Sequence, residues 1–375
     1  MARNINVAIV GTRFMGRAHS NAFLDVAHFF DLPLQPVMRA ACGRDVANLQ
    51  SFAARYGWQT TETSWEKLVA RDDIDVVDIC TSNLTHMLIA VAAAKAGKHV
   101  ICEKPMARNA GEARQMFEAA QDAGVRHMVA FNYRRVPALV LAKQLIEQGK
   151  IGSIVHFNAV YYQDWLVDAG ALYGWRNDVQ EAGSGAHGDL NAHIVDLARF
   201  LVGDVAAVTG VQEVIIKERR AANGTVHPVT ADDAATFLAR FQNGAIGYFF
   251  SSRMCTGRKN YLRLEIFGSK GSLGFNLERM NELEFYSREE PDPEQGFRTI
   301  LVTNASQPYI SAWWPPGHII GWEHTFIHEV RDFLLAVAAH EPVHPDFYDG
   351  LRCQQVLDAV TESARTRRWV DIPET

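Results

Sequence analysis

The first 130 residues alternate between two patterns. Ile5 to Val10 is a short, largely apolar run with β-branched residues, and it ends at Gly11. From Phe14 the apolar residues recur at helical spacing, so the segment reads strand, turn, helix. The unit then repeats. Val37–Cys42 predicts a strand, followed by a helix through Ala47, Leu49, Phe52 and Ala53. Ile74–Cys80 predicts a third strand. Its alternation is too weak for a one-sided sheet, which is how strands buried on both faces read. Met87–Ala96, His99–Cys102, Ala110–Ala123 and His127–Ala130 continue as helix, strand, helix, strand. This alternation predicts a doubly wound parallel sheet of Rossmann type over residues 1–131.

Beyond that point the period changes to two. Ile154–Tyr162, Ala206–Ile216, Ala234–Phe241, Ala245–Ser252, Tyr261–Phe267 and Ser272–Phe275 read as successive strands, with Asn243-Gly244 as a hairpin turn. Residues 132–375 are therefore expected to form a second domain on a large, open-faced, mostly antiparallel sheet. Gly188–Leu201, Trp322–Ala339 and Tyr348–Ala364 read as its helices, and 287–318 as a long loop. One face of such a sheet needs a cover, and a second subunit is the usual one, so a homodimer or homotetramer is expected.

Composition narrows the class. The chain is 375 residues long, 48% hydrophobic and 21% charged, with a formal net charge of −6, which fits a globular enzyme of two domains. No basic block stands out, so nucleic acid is not an expected partner. No apolar run reaches the ~18 residues that span a bilayer, and the N-terminus enters a strand directly; no membrane partner and no leader are expected. Cys42, Cys80, Cys102, Cys255 and Cys353 are odd in number and scattered. They predict free thiols and a cytoplasmic location.

The chemistry gathers at a few places. Gly11-Thr-Arg-Phe-Met-Gly16 joins the first strand to the first helix. A dinucleotide pyrophosphate sits at such a helix N-terminus, on its unpaired N–H groups. Arg13 takes the middle position of the G-x-G-x-x-G pattern, and either points outward or adds charge near the pyrophosphate. Arg44 follows the second strand and Asp45 comes one residue later. An acid there selects NAD and an arginine accepts the 2′-phosphate of NADP, so the local pattern leaves both open. Thr81-Ser-Asn83 lies at the C-terminal edge of the sheet, either toward ligand or as a helix cap. Glu103-Lys104-Pro105 ends a buried strand, where a lysine is costly unless paired or working. Asp189 and His193 are four apart on a predicted helix and so share a face. His324 and His328, with Glu323 and Glu329 nearby, match no metal-ligand pattern. A polar helix face accounts for them, and no metal is expected.

On these residues the chain resembles the glucose–fructose oxidoreductase / inositol dehydrogenase (Gfo/Idh/MocA) family. The matching pieces are Gly11–Gly16 with His19, Thr81-Ser-Asn83 with His86, Glu103-Lys104-Pro105, and Asp189 with His193. Ala130–Arg135, Tyr162–Trp165, Trp175-Arg176 and Gly183–Gly185 look most like its levoglucosan dehydrogenases and related glucoside 3-dehydrogenases. The resemblance implies NAD as cofactor, with NADP the alternative. It implies cofactor contacts from Gly11, Arg13, Phe14, Met15, Gly16, Arg44, Thr81, Asn83, His86, Glu103 and Lys104, and a cis Lys104–Pro105 bond. Ser82 departs from the family, which usually has proline there.

Oxidising a carbinol needs a base for the hydroxyl proton while hydride leaves to nicotinamide. His193 and Lys104 suit that role, and the sequence leaves open which is the base. Lys104 also suits holding an alkoxide by charge, and Asp189 suits binding a substrate hydroxyl. Substrate contacts are expected from Tyr133, Arg134, Tyr162, Gln163, Asp164, Trp165, Arg176, His187, Asp189 and His193, several of which suit packing equally. Trp313-Trp314 suits a pocket cover or a surface contact. The expected activity is NAD-dependent oxidation of a pyranose or pyranoside at C3. One alternative is a redox-neutral, NAD-dependent glycoside hydrolase of sulfoquinovosidase type, with Arg134, Arg135, Arg176 and His187 toward an anionic sugar. The other is a non-catalytic dinucleotide sensor.

Overall fold

The computed structural model describes residues 2–373, which cluster into two compact units. The first comprises residues up to Arg135 together with Ile320–Arg352; the second comprises Val136–Ile319 and the segment from Cys353 onward. Residues 320–352 thus return to the first unit, although they follow the whole run of antiparallel strands.

The first unit is built on β1 (Arg3–Val10), α1 (Phe14–Phe29), β2 (Leu34–Cys42), α2 (Val46–Tyr56), β3 (Thr60–Glu62), α3 (Trp65–Val69), β4 (Val76–Ile79), α4 (Asn83–Lys95), β5 (His99–Cys102), α5 (Ala110–Asp122) and β6 (His127–Val129). The strands are all parallel, in the order β3-β2-β1-β4-β5-β6. This is the doubly wound order, with its switch point between β1 and β4. Every residue of β4 is buried, which is why its sequence alternates so weakly. Local signals set the helix ends. Asp45 accepts from the Asn48 N–H and Asn109 from the Glu112 N–H, so each caps its helix, and Gly57 closes α2 in the left-handed region at φ +78°. Strand β3 and helix α3 fall where the sequence suggested no element. Strand β3 is three residues long and polar, a form edge strands take.

The second unit contains α6 (Pro137–Glu147), β7 (Ile154–Tyr162), α7 (Val179–Ala182), α8 (Ala192–Leu201), β8 (Val205–Glu213), β9 (Glu218–Arg220), β10 (Val226–Pro228), β11 (Ala234–Phe241), β12 (Ile246–Ser252), β13 (Tyr261–Gly268), β14 (Gly271–Asn276), β15 (Glu282–Ser287) and β16 (Arg298–Leu301). Later come α9 (His324–Ala339), α10 (Phe347–Thr366) and β17 (Val370–Asp371). Helix α9 belongs to the first unit, and α10 runs from the first into the second. Nine strands form one sheet, β16-β15-β14-β13-β7-β12-β11-β8-β17. All neighbours are antiparallel except β7 and β12. The Asn243-Gly244 turn joins β11 to β12 as expected, with Gly244 at φ +89°. Inward residues such as Phe157, Phe237, Phe249, Leu264 and Phe275 form the core.

Three expectations are corrected. Residues 287–318 are not one loop, because Arg298–Leu301 adds an edge strand to β15. The helix expected over Gly188–Leu201 is not uniform; His187–Asn191 is a π-helical turn, and the α-helix begins at Ala192. Helix α9 does not present His328 and Glu329 on a polar face, since it packs against α1 and the 132–135 turn and both are buried. No helix among the described residues is long and apolar enough to cross a membrane.

Candidate active site

At the switch point Gly11 has φ +116°, and a Cβ there would lie 2.4 Å from the Cys80 carbonyl oxygen. A Cβ on Gly16 would lie 2.0 Å from the Gly11 carbonyl oxygen. Both contacts are impossible, so the two glycines are dictated by close backbone approach. Arg13 is exposed in the position before α1. The first turn of α1 holds no acidic residue. A helix N-terminus so built fits a dinucleotide pyrophosphate. Phe14 is 64% exposed and stacks on Trp322 at 5.4 Å, while Met15 is half-buried. At the tip of β2, Asp45 is engaged in capping α2 and Arg44 is exposed.

Lys104 follows β5 and is half-buried, and its bond to Pro105 is cis. The groups beneath it are buried and ordered by hydrogen bonds. The Lys104 backbone N–H donates to Glu103 Oε2 at 3.0 Å. Glu103 Oε1 lies 3.0 Å from His19 Nε2, and His19 Nδ1 lies 2.8 Å from Asp78 Oδ2. Burial pulls the His19 pKa down, but the Asp78 carboxylate and its neighbours outweigh it, and the net direction is well upward. His86 is fully buried, with Nδ1 3.1 Å from the Pro105 carbonyl oxygen and Nε2 3.2 Å from that of Thr81. It holds the turn together from below. Thr81 accepts from the Thr85 hydroxyl, and Asn83 opens α4 as a buried residue.

Helix α9 contributes Glu329. It is buried, neither carboxyl oxygen meets a hydrogen-bond partner among the described residues, and burial raises its pKa to about 8. His328 beside it points to the Arg135 carbonyl at 3.0 Å, and burial drives its pKa down to about 3.

Tyr133, Arg134 and Arg135 are all buried in a 3₁₀ turn. Arg134 pairs with Asp349 at 3.4 Å and Arg135 with Asp332 at 3.0 Å.

In the second unit, the π turn brings Asp189 to the surface of a polar and aromatic arc. Asp189 Oδ2 accepts from Arg253 at 2.7 Å. The Arg253 guanidinium lies over the Trp165 ring at 5.2 Å, and Trp165 Nε1–H donates to Gln163 Oε1 at 2.8 Å. Gln163 and Tyr161 both donate to Asn260 Oδ1, at 2.8 and 2.7 Å, and the Tyr161 ring lies 5.8 Å from that of buried His193. The expected Gln163, Trp165, Asp189 and His193 are thus drawn into one chain of contacts, completed by Arg253, Tyr161 and Asn260. Arg253 immediately follows β12, where its charge reads in the sequence only as a strand end.

Other candidates lie apart from this arc. His187 is fully buried; its Nε2 faces the Leu357 carbonyl at 2.9 Å and its Nδ1 the Asn191 amide at 2.9 Å, so both ring nitrogens serve the π turn. Arg176 stacks on Trp175 at 4.3 Å. Tyr162 joins Phe250 and Tyr261 on the outer sheet face, and burial raises its hydroxyl pKa to about 12. Asp164 pairs with Lys259 at 2.7 Å. Trp314 is exposed. All five cysteines are free thiols, four of them buried.

Comparison with known proteins accords with this geometry. Residues 5–131 match the oxidoreductase family with an NAD-binding Rossmann fold, and residues 139–274 match the GFO/IDH/MocA C-terminal domain. The chain is 41% identical to a levoglucosan dehydrogenase of Pseudarthrobacter phenanthrenivorans, covering 99% of each. A crystal structure of an oxidoreductase domain protein from Kribbella flavida superposes with a TM-score of 0.97 at 49% identity, covering 99% of this chain and 100% of that one. A levoglucosan dehydrogenase in complex with NADH and levoglucosan superposes with a TM-score of 0.97 at 42% identity over the full length of both.

Proposed function

Because the chain belongs to the GFO/IDH/MocA oxidoreductase family and carries its NAD-binding Rossmann domain, we propose that it oxidises the C3 hydroxyl of levoglucosan or a related pyranoside, with NAD as hydride acceptor. The observation that carries this reading is likeness across the whole chain to a levoglucosan dehydrogenase bound to NADH and levoglucosan. NAD, when bound, supplies the hydride acceptor. The role assigned to Lys104 is to stabilise the alkoxide with its ammonium as the hydroxyl proton leaves. The role assigned to His193 is that of base, and to Asp189 that of acceptor from a sugar hydroxyl, oriented by Arg253. Gln163 and Trp165 offer the amide and aromatic surfaces that bind a neutral sugar.

The ion pairs support a neutral substrate. Of the four cationic groups that suit an anionic sugar, Arg134 and Arg135 are paired with aspartates and His187 is engaged at both nitrogens. We further propose that the outer face of the large sheet, with Val211, Leu238, Ile246 and Tyr248 exposed, is covered by a second copy of the chain. Solution scattering that finds a monodisperse monomer contradicts this.

The test is a panel of sugars and glycosides with NAD and NADP, following reduced cofactor and product mass together. Net NADH with levoglucosan or another neutral pyranoside supports the proposal. Aglycone release at constant NAD means redox-neutral cleavage instead, and NAD binding without turnover of any sugar means a sensor.

A further inference from the structure

The buried trio beneath Lys104 has a feature that its hydrogen bonds make explicit. Both ring nitrogens of His19 face carboxylate oxygens, Asp78 on one side and Glu103 on the other. Carboxylates accept and do not donate, so a neutral imidazole, with one N–H, satisfies only one of them. An imidazolium satisfies both, through two charge-assisted bonds. All three side chains are buried. Glu103 is held at both ends, by His19 at Oε1 and by the Lys104 N–H at Oε2.

The location of His19 gives this clamp a purpose. It lies on α1, whose N-terminus fits the pyrophosphate, while Glu103 and Lys104 directly follow β5. Asp78 lies on β4, between β1 and β5 in the sheet. One ring therefore links the element that locates the cofactor to the residue that acts on the sugar hydroxyl. Hydride transfer depends on that separation, and a displacement of about 1 Å costs up to roughly a hundredfold in rate.

We propose that His19, donating from both ring nitrogens to Asp78 and Glu103, is a positioning residue that fixes the Glu103–Lys104 strand end relative to the pyrophosphate helix. The inference rests on the role given to Lys104 under the proposed function. The groups facing His19 are Asp78 and Cys80 from and just after β4, Glu103 after β5, and Glu329 together with the Phe326 ring from α9. Glu329 is buried and its raised pKa keeps it largely protonated at neutral pH, so it adds little competing charge.

The test combines a spectroscopic signature with a kinetic split. In wild-type protein labelled with ¹⁵N-histidine, both His19 ring nitrogens are expected at imidazolium shifts at about pH 8, above the ordinary histidine pKa of about 6.5. In His19→Gln, kcat for sugar oxidation is expected to fall roughly ten- to a hundredfold. NADH affinity, read by fluorescence titration, is expected to stay within about threefold, because the pyrophosphate loop itself is intact. A neutral tautomer for His19 at neutral pH overturns the clamp. So does a wild-type kcat in His19→Gln, or a loss of NADH affinity in step with kcat, which marks a merely structural residue. If His19→Gln does not fold, the wild-type spectrum decides alone. Full turnover in Lys104→Ala sinks the role of Lys104 without changing the His19 spectrum, so the two failures are told apart.

Discussion

Glu329→Gln tests the burial of the acid on α9. Burial raises its pKa from an ordinary 4.5 to about 8, opposed by His19 and Arg135 and reinforced by Glu103 and Asp78. Below 4.5 the folded and unfolded chains both hold the proton, and Glu329 is no burden. Between 4.5 and about 8 the unfolded chain releases it while the folded chain keeps it. Stability then falls by about 1.4 kcal/mol for each pH unit. The full span from 4.5 to about 8 gives an upper bound of about 5 kcal/mol. His19, with its pKa raised, loses its own stabilising contribution toward alkaline pH as well, so the wild-type slope contains both. The difference between wild type and Glu329→Gln isolates the acid. Urea unfolding from about pH 5 to about pH 9 is the assay. The variant is expected to gain on the wild type up to about pH 8 and to hold that advantage above it. With a slope of roughly 3 kcal/mol per M, its midpoint gains 1 M or somewhat more by the alkaline end. A constant offset from acid to alkali, whatever its size, refutes the reasoning.

The remaining predictions concern the site. Lys104→Ala and His193→Ala are each expected to lower kcat/KM for sugar oxidation about 10²- to 10⁴-fold while leaving the thermal melt near that of wild type, read by initial rates and calorimetry. Arg253→Ala removes the charged partner of Asp189 and the cation over Trp165; kcat/KM is expected to fall about ten- to a hundredfold, chiefly through KM, with NADH affinity unchanged. Gly16→Ala forces a Cβ to 2.0 Å from the Gly11 carbonyl; the pyrophosphate loop must shift, and NADH titration is expected to show at least tenfold weaker binding. Near-wild-type affinity in that variant contradicts the packing argument.

The parallel sheet was legible because its strands are buried on both faces and announce themselves as apolar runs, Val76–Ile79 most clearly. The short edge strands were not. Thr60–Glu62 and Arg298–Leu301 pair on one side only and carry polar residues, so no hydrophobic period marks them. The Asp189/His193 pair was visible, but the π turn that presents Asp189 was not, since an i→i+5 bond leaves no trace in side-chain spacing. Contacts distant in sequence were the hardest. His19 and Glu103 are 84 residues apart, and only the β1–β4–β5 order brings them together. Glu329 reads as part of a polar helix face because Glu323, His324 and His328 lie near it in the sequence. Its burial follows from what packs on α9, which helix spacing alone does not reveal.

The return of residues 320–352 to the first unit has a consequence for synthesis. Helix α9, with the Phe326, Phe333 and Leu334 side chains that it buries, leaves the ribosome only after the entire 136–319 stretch. At roughly 5–20 residues per second that wait is on the order of ten to forty seconds. Throughout it, α1 lacks the helix that covers it, and the nascent chain presents an uncovered apolar surface that chaperones recognise. A ribosome stalled before residue 320 would therefore carry an incomplete nucleotide-binding unit, and the chain cannot be cut at residue 135 into two self-sufficient modules.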